Sequence, residues 1–452
     1  MRLARRLAWG LLAGAAVLGW SCQSVRSADR LNELAATYWE WQLQSSPKFA
    51  TAVGDNRYND RLDDLSLEAF AERQAYRQRL LRSLEAVRWR RLAHNDRITY
   101  DLLHRELQTA VELYALNAHL LPVTPSAGPH TSLHQLAYQT TFKAAADYQT
   151  YLARLEQVPG YLDQTTTLLR EGIAAGVVMP GRPMQEVLGS IKEQFEVRPD
   201  QSPFYFPFDN FPEGLPTAER RDLRQRALAV ITDQVMPAFE VLHHVMTREY
   251  LPACRADIGL AALPQGEHWY NTLVRWHTTT EMTAEQIHQL ARQEVELLEA
   301  QIDSLVGSVG FPDDRNTFAW SLQNSPSLFH RSSRALLRGY RNLLDRLEPQ
   351  LPSLFGRLPT APLEVVSTPA HLAPELQATA YALADSGTRG QLLVNTLYFR
   401  ERPIWNMEAQ ALRDGLPGRH LQEALAWEQP DQTAYRRWAD VPAFTEGWAL
   451  YA

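Results

Sequence analysis

Apolar residues recur at helical spacing along most of the chain. Four long stretches show this pattern, from Leu31 to Leu43, Leu67 to Val87, Tyr148 to Glu171 and Thr217 to Tyr250. Apolar residues every three to four positions fall on one face of a helix, and that face can then pack onto a core. The pattern predicts a long helix in each of the four stretches.

A fifth helix carries its own start and stop signals. Thr283 and Gln286 have the spacing of a capping box, in which each residue's side chain bonds to the other's backbone N–H. Gly307 or Gly310 is expected to end this helix. Its apolar residues again follow helical spacing: Ile287, Leu290, Leu298, Ile302 and Leu305.

Two kinds of segment depart from the helical pattern. "SPFYFPFDNFPEGLP", from Ser202 to Pro216, has too many prolines for a helix. It is expected to be a loop with its rings buried against the body; the alternative is a loop that contacts a substrate. "PLEVVSTP" and "GQLLVNTL" are short apolar runs bounded by Pro or Gly, which is typical of strands. The fold class predicted is therefore mainly α, a multi-helix scaffold with a small β-sheet.

Composition narrows the range of functions. The 452 residues are 45% hydrophobic and 21% charged, which is enough to bury a large core. The net charge is −7, so the protein has no overall positive charge to attract the phosphates of nucleic acid. We therefore expect no nucleic-acid binding.

The N-terminus resembles an export signal. Arginines precede an apolar run from Leu7 to Trp20, which is too short to cross a membrane comfortably. Cys22 follows this run and is the predicted site of lipidation; the alternative is ordinary cleavage near Ala28. The protein is therefore expected in the periplasm or as a membrane-anchored lipoprotein, with membrane contact only through this anchor or the signal segment.

Several common enzyme motifs are absent. None of the 13 histidines is followed by Glu, so the chain has no HExxH zinc helix. It also has no GxSxG, GxGxxG or Gly-Lys phosphate loop.

Two segments near the end of the chain do suggest a site. In "RDGLPGRHLQE", Pro417-Gly418 is expected to break the chain direction, with a helix resuming at Arg419. In "VPAFTEGWALYA", Glu446 lies in an otherwise apolar helix that we expect to be buried. A buried carboxylate needs a cation beside it, either a metal ion or an arginine.

These two segments, with others in the same order, resemble a bacterial family called domain of unknown function 885 (DUF885), which is described as zinc-metallopeptidase-like and often exported as lipoproteins. The other matching segments are "GDNRYND", "YLARLEQVPGYLDQ", "LREGIAAGVVMP", "YNTLVRWHTTTEMTAEQIH" and "LLVNT". The resemblance implies a zinc-peptidase-like scaffold with the small sheet near the site.

The resemblance also implies a site with two histidines and a distal Glu on zinc, and a Glu as general base. At the matching positions this chain has Arg413 and Arg419 in place of the two histidine ligands. Asp414 takes the general-base position, His420 follows the second ligand position, and Glu446 matches the distal ligand. Arginine does not lose its proton to bind zinc, so two ligands are missing.

The metal motif is therefore degenerate. We expect no bound metal or other cofactor, with Arg413 and Arg419 pairing with Asp414 and Glu446 instead; the alternative is that both arginines point to solvent. Whether the chain is an enzyme is uncertain from sequence: the prediction is an inactive metallopeptidase-like protein that binds a peptide or protein ligand. One alternative is an active hydrolase using Asp414, His420 and Glu446 around zinc. Another is a truncated gene product without function.

The expected domain organisation follows from the same comparison. Residues 1–28 form the export signal, and 29–452 form one large helical family domain. Within it, 29–260 is an N-terminal helical part and 261–452 is the peptidase-like part. The resemblance implies further helices after the last residue, so a C-terminal truncation is expected.

Overall fold

The structure is a computed structural model that describes residues 27–311, 314–369, 373, 376–384, 387–430 and 432–452. Residues 1–26, which contain Cys22 and all but the last two residues of the predicted export signal, lie outside the described residues. The chain forms two compact units, the first reaching Thr272 and the second comprising Leu273–Ala452. The predicted division into 29–260 and 261–452 stays a prediction.

The fold is mainly helical with one small sheet, as predicted. The α-helices of the first unit, the last of which crosses the boundary, are 27–45, Pro47–Ala52, Leu67–Glu85, His94–Ala115, Pro129–Ser132, Leu136–Gln139, Ala145–Leu155, Val158–Ala175, Gly181–Glu193, Thr217–Val230, Met236–Val245, Leu251–Ala253 and Gly266–Thr278. Those of the second unit are Ala284–Ser308, Arg315–Gln323, Ser333–Leu347, Leu351–Leu354, Met407–Gln410, Arg419–Trp427, Ala434–Trp438 and Pro442–Tyr451.

Three of the four predicted long helices are confirmed, and the fourth is divided. The stretch Tyr148 to Glu171 was wrong as a single helix, because it forms Ala145–Leu155 and Val158–Ala175. Pro159 explains the break, since proline has no N–H to continue the first helix but fits the first turn of the second.

The predicted helix from Thr217 to Tyr250 continues through two prolines by means of π turns. The π turns Ile231–Val235 and Met246–Tyr250 end two residues before Pro237 and Pro252. Proline in an α-helix clashes with the carbonyl four residues earlier. The wider π turn changes that spacing and lets the helical run continue.

The core of the first unit joins these helices to the aromatic segment. Phe204 and Phe208, in the short 3-10 turn Pro203–Phe208, are fully buried with Phe239, Tyr148 and Tyr151. The expectation of buried rings between Ser202 and Pro216 is confirmed for Phe204, Tyr205 and Phe208, whereas Phe206 is 47% exposed.

The second unit contains a three-stranded sheet. Its strands are β1 Leu363–Ser367, β2 Thr379–Ala384 and β3 Arg389–Val394, in the order β1-β3-β2. β3 pairs in parallel with β1 and antiparallel with β2. β1 and β3 match the two predicted apolar runs, whereas β2 was not predicted.

One face of the sheet packs against helix Ser333–Leu347. Leu336, Tyr340 and Leu344 from that helix meet Leu392 and Val394 of β3 in a buried cluster. Met407 and Ala411 join the same cluster, which fixes the segment leading to the candidate site.

The capping box of helix Ala284–Ser308 is confirmed. The Gln286 N–H donates to Thr283 Oγ1 at 3.2 Å, and the Thr283 N–H donates to Gln286 Oε1 at 2.9 Å. Of the two glycines expected to end the helix, Gly310 lies just beyond its last residue and has the left-handed φ of +92°. No helix in the described part of the chain is long and apolar enough to span a membrane.

The core of the first unit should depend on Phe239. We expect Phe239→Ala to lower the free energy of unfolding by about 3 to 5 kcal/mol, because it removes a fully buried ring. Val241→Ala on the same helix should change it by less than about 0.5 kcal/mol, because Val241 is 60% exposed. Urea unfolding followed by circular dichroism compares the two variants, and equal losses would contradict this assignment of the core.

Candidate functional site

A sharp turn positions the candidate site, as the Pro-Gly pair predicted. The π turn Ala411–Gly415 ends before a cis peptide bond at Leu416-Pro417, and the next helix begins at Arg419. The Gly418 N–H donates to the carbonyl oxygen of Leu412 at 2.9 Å. A Cβ on Gly418 would lie 2.0 Å from the carbonyl oxygen of Arg413, so only glycine fits here.

This turn brings two arginines together with two carboxylates. Arg413 Nη1 lies 3.2 Å from Asp414 Oδ1, and Arg413 Nη2 lies 3.1 Å from Glu446 Oε2. Arg419 Nη2 donates to Glu446 Oε1, and Arg419 Nε lies 3.4 Å from Asp414 Oδ1. We call Arg413, Asp414, Arg419 and Glu446 the arginine–carboxylate cluster. The predicted pairing of these residues is thus present, and the alternative of two solvent-pointing arginines is wrong.

The two carboxylates of the cluster differ in burial. Asp414 is only 2% exposed, and its Oδ2 accepts a hydrogen bond of 2.6 Å from the Thr379 hydroxyl. Each oxygen of this buried carboxylate therefore has a donor, as a buried charge requires.

The side chain of Glu446 is 55% exposed, so its predicted burial was wrong. Helix Pro442–Tyr451 buries only Ala449, whereas Phe444, Leu450 and Tyr451 remain exposed. The apolar composition of this helix predicted that other residues would pack against it on every side. The described residues pack against one side only.

Pairing favours the charged forms of Arg419 and Glu446. The hydrogen bond from Arg419 lowers the pKa of Glu446, and the charges of both arginines add to this effect. Burial alone would lower the pKa of Arg419, but its hydrogen bond and attraction to Glu446 outweigh burial and raise it. Arg419 and Glu446 therefore form a charged pair within the cluster.

His420 lies in a separate set of hydrogen bonds. Its Nε2 lies 3.0 Å from the carbonyl oxygen of Ala361, and its Nδ1 lies 3.0 Å from the Tyr381 hydroxyl. The carbonyl oxygen accepts a hydrogen bond from Nε2–H, and Nδ1 then accepts a hydrogen bond from the tyrosine hydroxyl, which describes a neutral ring. Burial lowers the pKa of His420, which agrees with that state. Gly390 in β3 provides the space, since a Cβ there would lie 2.3 Å from Nδ1.

Two partners in the site come from the strand that was not predicted. Thr379 and Tyr381 both belong to β2. Alanines occupy alternate positions around them, and alanine favours helices and is depleted in strands, which masked the strand. The alternation of larger residues with alanine was the available signal.

Glu423 is a further titratable group, one helical turn after Arg419. Burial raises the pKa of Glu423 to about 7, although the charge of Arg419 opposes this rise. Its spacing of three residues from His420 places the two on one helix face, but burial is a property of the folded chain.

The C-terminal helix is held to the turn by a tryptophan. Trp448 Nε1 donates to the carbonyl oxygens of Pro417 and Gly418 at 3.0 and 3.2 Å. Among the residues that the structure describes, no three His, Cys, Asp or Glu side chains are grouped so that they could hold a metal ion.

Comparison with known proteins identifies a family without a known activity. The model of a bacterial protein family of unknown function, DUF885, matches residues 47–452. A putative lipoprotein from Colwellia psychrerythraea has a similar structure, with a TM-score of 0.85, 18% identity, and coverage of 94% of this chain and 77% of that chain. A putative lipoprotein of unknown function from Shewanella oneidensis gives a TM-score of 0.69 and 16% identity, covering 93% and 76% of the two chains. No curated protein matches.

The close approach at Gly418 should make it intolerant of a side chain. We expect Gly418→Ala to destabilise the chain by more than about 2 kcal/mol, because backbone atoms must move to admit the methyl group. Gly447→Ala, in an open helical position, should raise stability by up to about 1 kcal/mol. Thermal unfolding measures both changes, and a Gly418→Ala variant as stable as the unmodified chain would refute the close approach.

Glu423 should make stability depend on pH. The folded chain binds the Glu423 proton more tightly than the unfolded chain, because its folded pKa is about 7 and an unfolded Glu titrates near ~4.3. This contribution is fully present below pH ~4 and is lost as the pH rises through 7. We expect Glu423→Gln to stabilise the chain by about 2 kcal/mol near pH ~8.5 and to have little effect near pH ~4.

Glu428, the residue that follows this helix, provides a control of opposite sign. Its Oε1 accepts hydrogen bonds from the Thr360 N–H at 2.6 Å, the Thr360 hydroxyl at 2.8 Å and the Ala361 N–H at 3.0 Å. Burial would raise the pKa of Glu428, but these bonds lower it. Glu428→Gln should therefore destabilise the chain at alkaline pH. Urea unfolding at both pH values tests the pair, and a Glu423→Gln variant that is less stable at the higher pH would contradict the assignment.

Proposed function

The chain belongs to the bacterial protein family of unknown function DUF885, and from this premise we propose that it is an exported, metallopeptidase-like protein that binds peptides or proteins without hydrolysing them. The arginine–carboxylate cluster is the observation that carries the proposal. In the metallopeptidase-like pattern, a zinc ion of charge +2 lies between two histidines and is balanced by two glutamates. Here Arg413 and Arg419 supply the same charge and contact the two remaining carboxylates directly.

The residues at these positions do not fit zinc. A guanidinium group stays protonated and has no lone pair to donate to a metal. Glu446 accepts hydrogen bonds from both arginines, and Asp414 accepts hydrogen bonds from Arg413 and Thr379. A zinc ion would have to displace these charge-assisted bonds while lying beside two positive charges.

The geometry of His420 opposes the alternative of an active hydrolase. That alternative needs a free imidazole nitrogen for a metal or a proton, but Ala361 and Tyr381 occupy both. Releasing the ring would leave the buried Ala361 carbonyl without its partner, at a cost of about 1 to 3 kcal/mol, and would also break the part-buried hydrogen bond from the Tyr381 hydroxyl.

An edge strand beside the cluster supports the binding role. β2 is at the edge of the sheet among the described residues, and its Thr379 contacts Asp414 of the cluster. The outer backbone groups of an edge strand can pair with an extended peptide, which adds to the sheet as a further strand. Such a ligand needs only a preformed strand edge and no catalytic group.

The exported location rests on the N-terminal sequence. Arginines followed by an apolar run and Cys22 are the signals of a secreted lipoprotein. The two similar solved structures are named as putative lipoproteins, which agrees with this location. We propose anchoring through Cys22, with a soluble periplasmic form after ordinary cleavage as the alternative.

Metal content tests the proposed loss of the zinc site. The protein incubated with zinc and then dialysed should retain well under one zinc ion per chain, as measured by atomic emission. Arg413→His combined with Arg419→His should gain about one zinc ion per chain, because it restores two neutral ligands beside Glu446. Adding Glu446→Ala to that variant should remove the gain.

A matched control separates this site from surface histidines. Arg79→His with Arg221→His introduces two exposed histidines elsewhere, with no His, Asp or Glu three or four residues away on either helix, and should gain no zinc. The proposal fails if the unmodified chain holds stoichiometric zinc that Glu446→Ala abolishes. It also fails if the unmodified chain cleaves a peptide library and a chelator stops the cleavage.

A further inference from the structure

Helix Ala284–Ser308 of the second unit is exposed along nearly its whole length. The structure describes all 25 residues of this helix, and only Val306 among them is buried. Large apolar side chains on one face of the helix, and at its C-terminal cap, are between 44% and 67% exposed: Val295, Leu298, Ile302, Leu305 and Val309. A continuous apolar face on the surface indicates a contact with another polypeptide.

The exposed apolar residues repeat every seven positions, which is the period of a coiled coil. In heptad notation, position a holds His288, Val295, Ile302 and Val309, and position d holds Ala284, Ala291, Leu298 and Leu305. We call these eight residues the heptad seam. β-branched residues at position a with leucine at position d are typical of two-stranded coiled coils, and His288 is the one polar residue of the seam. The pattern therefore indicates pairing with one other helix.

The heptad seam is open because the next helix of the same unit lies against a different flank. Arg315, at the start of helix Arg315–Gln323, lies 2.8 Å from Asp303 and 3.5 Å from Glu299. At 100° per residue, the centre of the seam lies roughly 100° around the helix from these two carboxylates. A second helix can therefore lie along the seam beside helix Arg315–Gln323, as neighbouring helices do in a four-helix bundle.

Charges beside the seam fit a second copy of the same helix in the antiparallel orientation. In an antiparallel pair, the e positions of the two helices lie beside each other. In the register that aligns both seams along their full length, Val295 of one copy meets Leu298 of the other, and Arg292 meets Glu299. Two-fold symmetry repeats each contact, so the pair gains two contacts between opposite charges.

The same charges oppose a parallel pair. In that orientation, position g of one helix lies beside position e of the next heptad of the other, which places Glu294 against Glu299. Within one chain, Arg292 lies 3.8 Å from Glu296, and both side chains are more than 60% exposed. An exposed pair at that distance contributes little, so Arg292 can turn to a second copy at small cost.

We propose that two copies of this protein associate through the heptad seam, with their helices Ala284–Ser308 antiparallel. Because a single pair of helices buries a small interface, the dissociation constant should be micromolar. The association uses no residue of the arginine–carboxylate cluster, so its failure would leave the proposed function unaffected.

Sedimentation equilibrium tests the seam. The chain from residue 22 onward, with Cys22→Ser and in reductant to keep Cys254 from cross-linking, should show a monomer–dimer equilibrium at micromolar concentrations. Leu298→Glu should raise the dissociation constant about 30-fold, because it places a charge in the seam twice per dimer. Leu297→Glu is the matched control, since Leu297 is the adjacent residue, is 53% exposed and lies outside the seam. This control should dimerise as the parent does, and both variants should keep the circular dichroism of the parent.

A charge exchange tests the orientation. Arg292→Glu and Glu299→Arg should each raise the dissociation constant about 10-fold, because each places like charges together twice per dimer. The double variant restores opposite charges at the parent's net charge and should dimerise as the parent does. A chain that stays monomeric throughout, or equal loss in the Leu297→Glu and Leu298→Glu variants, would mean that another polypeptide segment covers this face, and would overturn the proposal. A stronger dimer with Glu299→Arg alone would also overturn it, since only a parallel pair gains from that change.

Discussion

The neutralisation of Asp414 is the constraint on which the rest of the site depends. This carboxylate is almost fully buried, and an unpaired charge there would cost several kcal/mol. Three elements meet that requirement: the π turn supplies Arg413, the following helix supplies Arg419, and β2 supplies Thr379. Because the donors come from separate segments, satisfying one charge fixes the turn, the helix and the strand relative to each other within the second unit.

Two glycines in and near the turn are required by close contacts in the folded chain. Gly418 allows the chain to pass against the carbonyls of Leu412 and Arg413, so that two arginines six residues apart can face the same carboxylates. Gly390 has the same role across the sheet, where it leaves room for the His420 ring. Both glycines serve close approach rather than flexibility.

Sequence patterns predicted the parts of this arrangement that depend on local periodicity or on charge type. The helix starting at Arg419, the capping box at Thr283 and the strands β1 and β3 all followed from neighbouring residues. Pairing of the two arginines with the two carboxylates followed from charge type at family positions. β2 was missed because its alanines favour another structure and only long-range pairing with β3 makes it a strand.

The exposure of Glu446 and the burial of Glu423 could not be predicted for a different reason. Both depend on which faces of two adjacent helices meet, and composition does not determine that. Helix Pro442–Tyr451 is apolar on most sides, yet it uses one side for packing and leaves Glu446 at the rim. Glu423, on a helix with charged residues, is the more buried of the two and has its pKa raised to about 7.

The division of roles between the two arginines follows from their burial. The side chain of Arg419 is 20% exposed and that of Arg413 is 42% exposed, although each contacts both carboxylates. Screening by water weakens the pairs of Arg413 more than those of Arg419. Arg419 therefore contributes most to stabilising the buried charge of Asp414, while Arg413 has a face open to solvent.

A ligand carboxylate that approached the cluster would meet Arg413 first. A guanidinium group has enough N–H donors to bind that carboxylate while it keeps its hydrogen bond to Asp414. Under the proposed function, the arginine at the position of a metal ligand in the metallopeptidase-like pattern is thus also a group suited to binding.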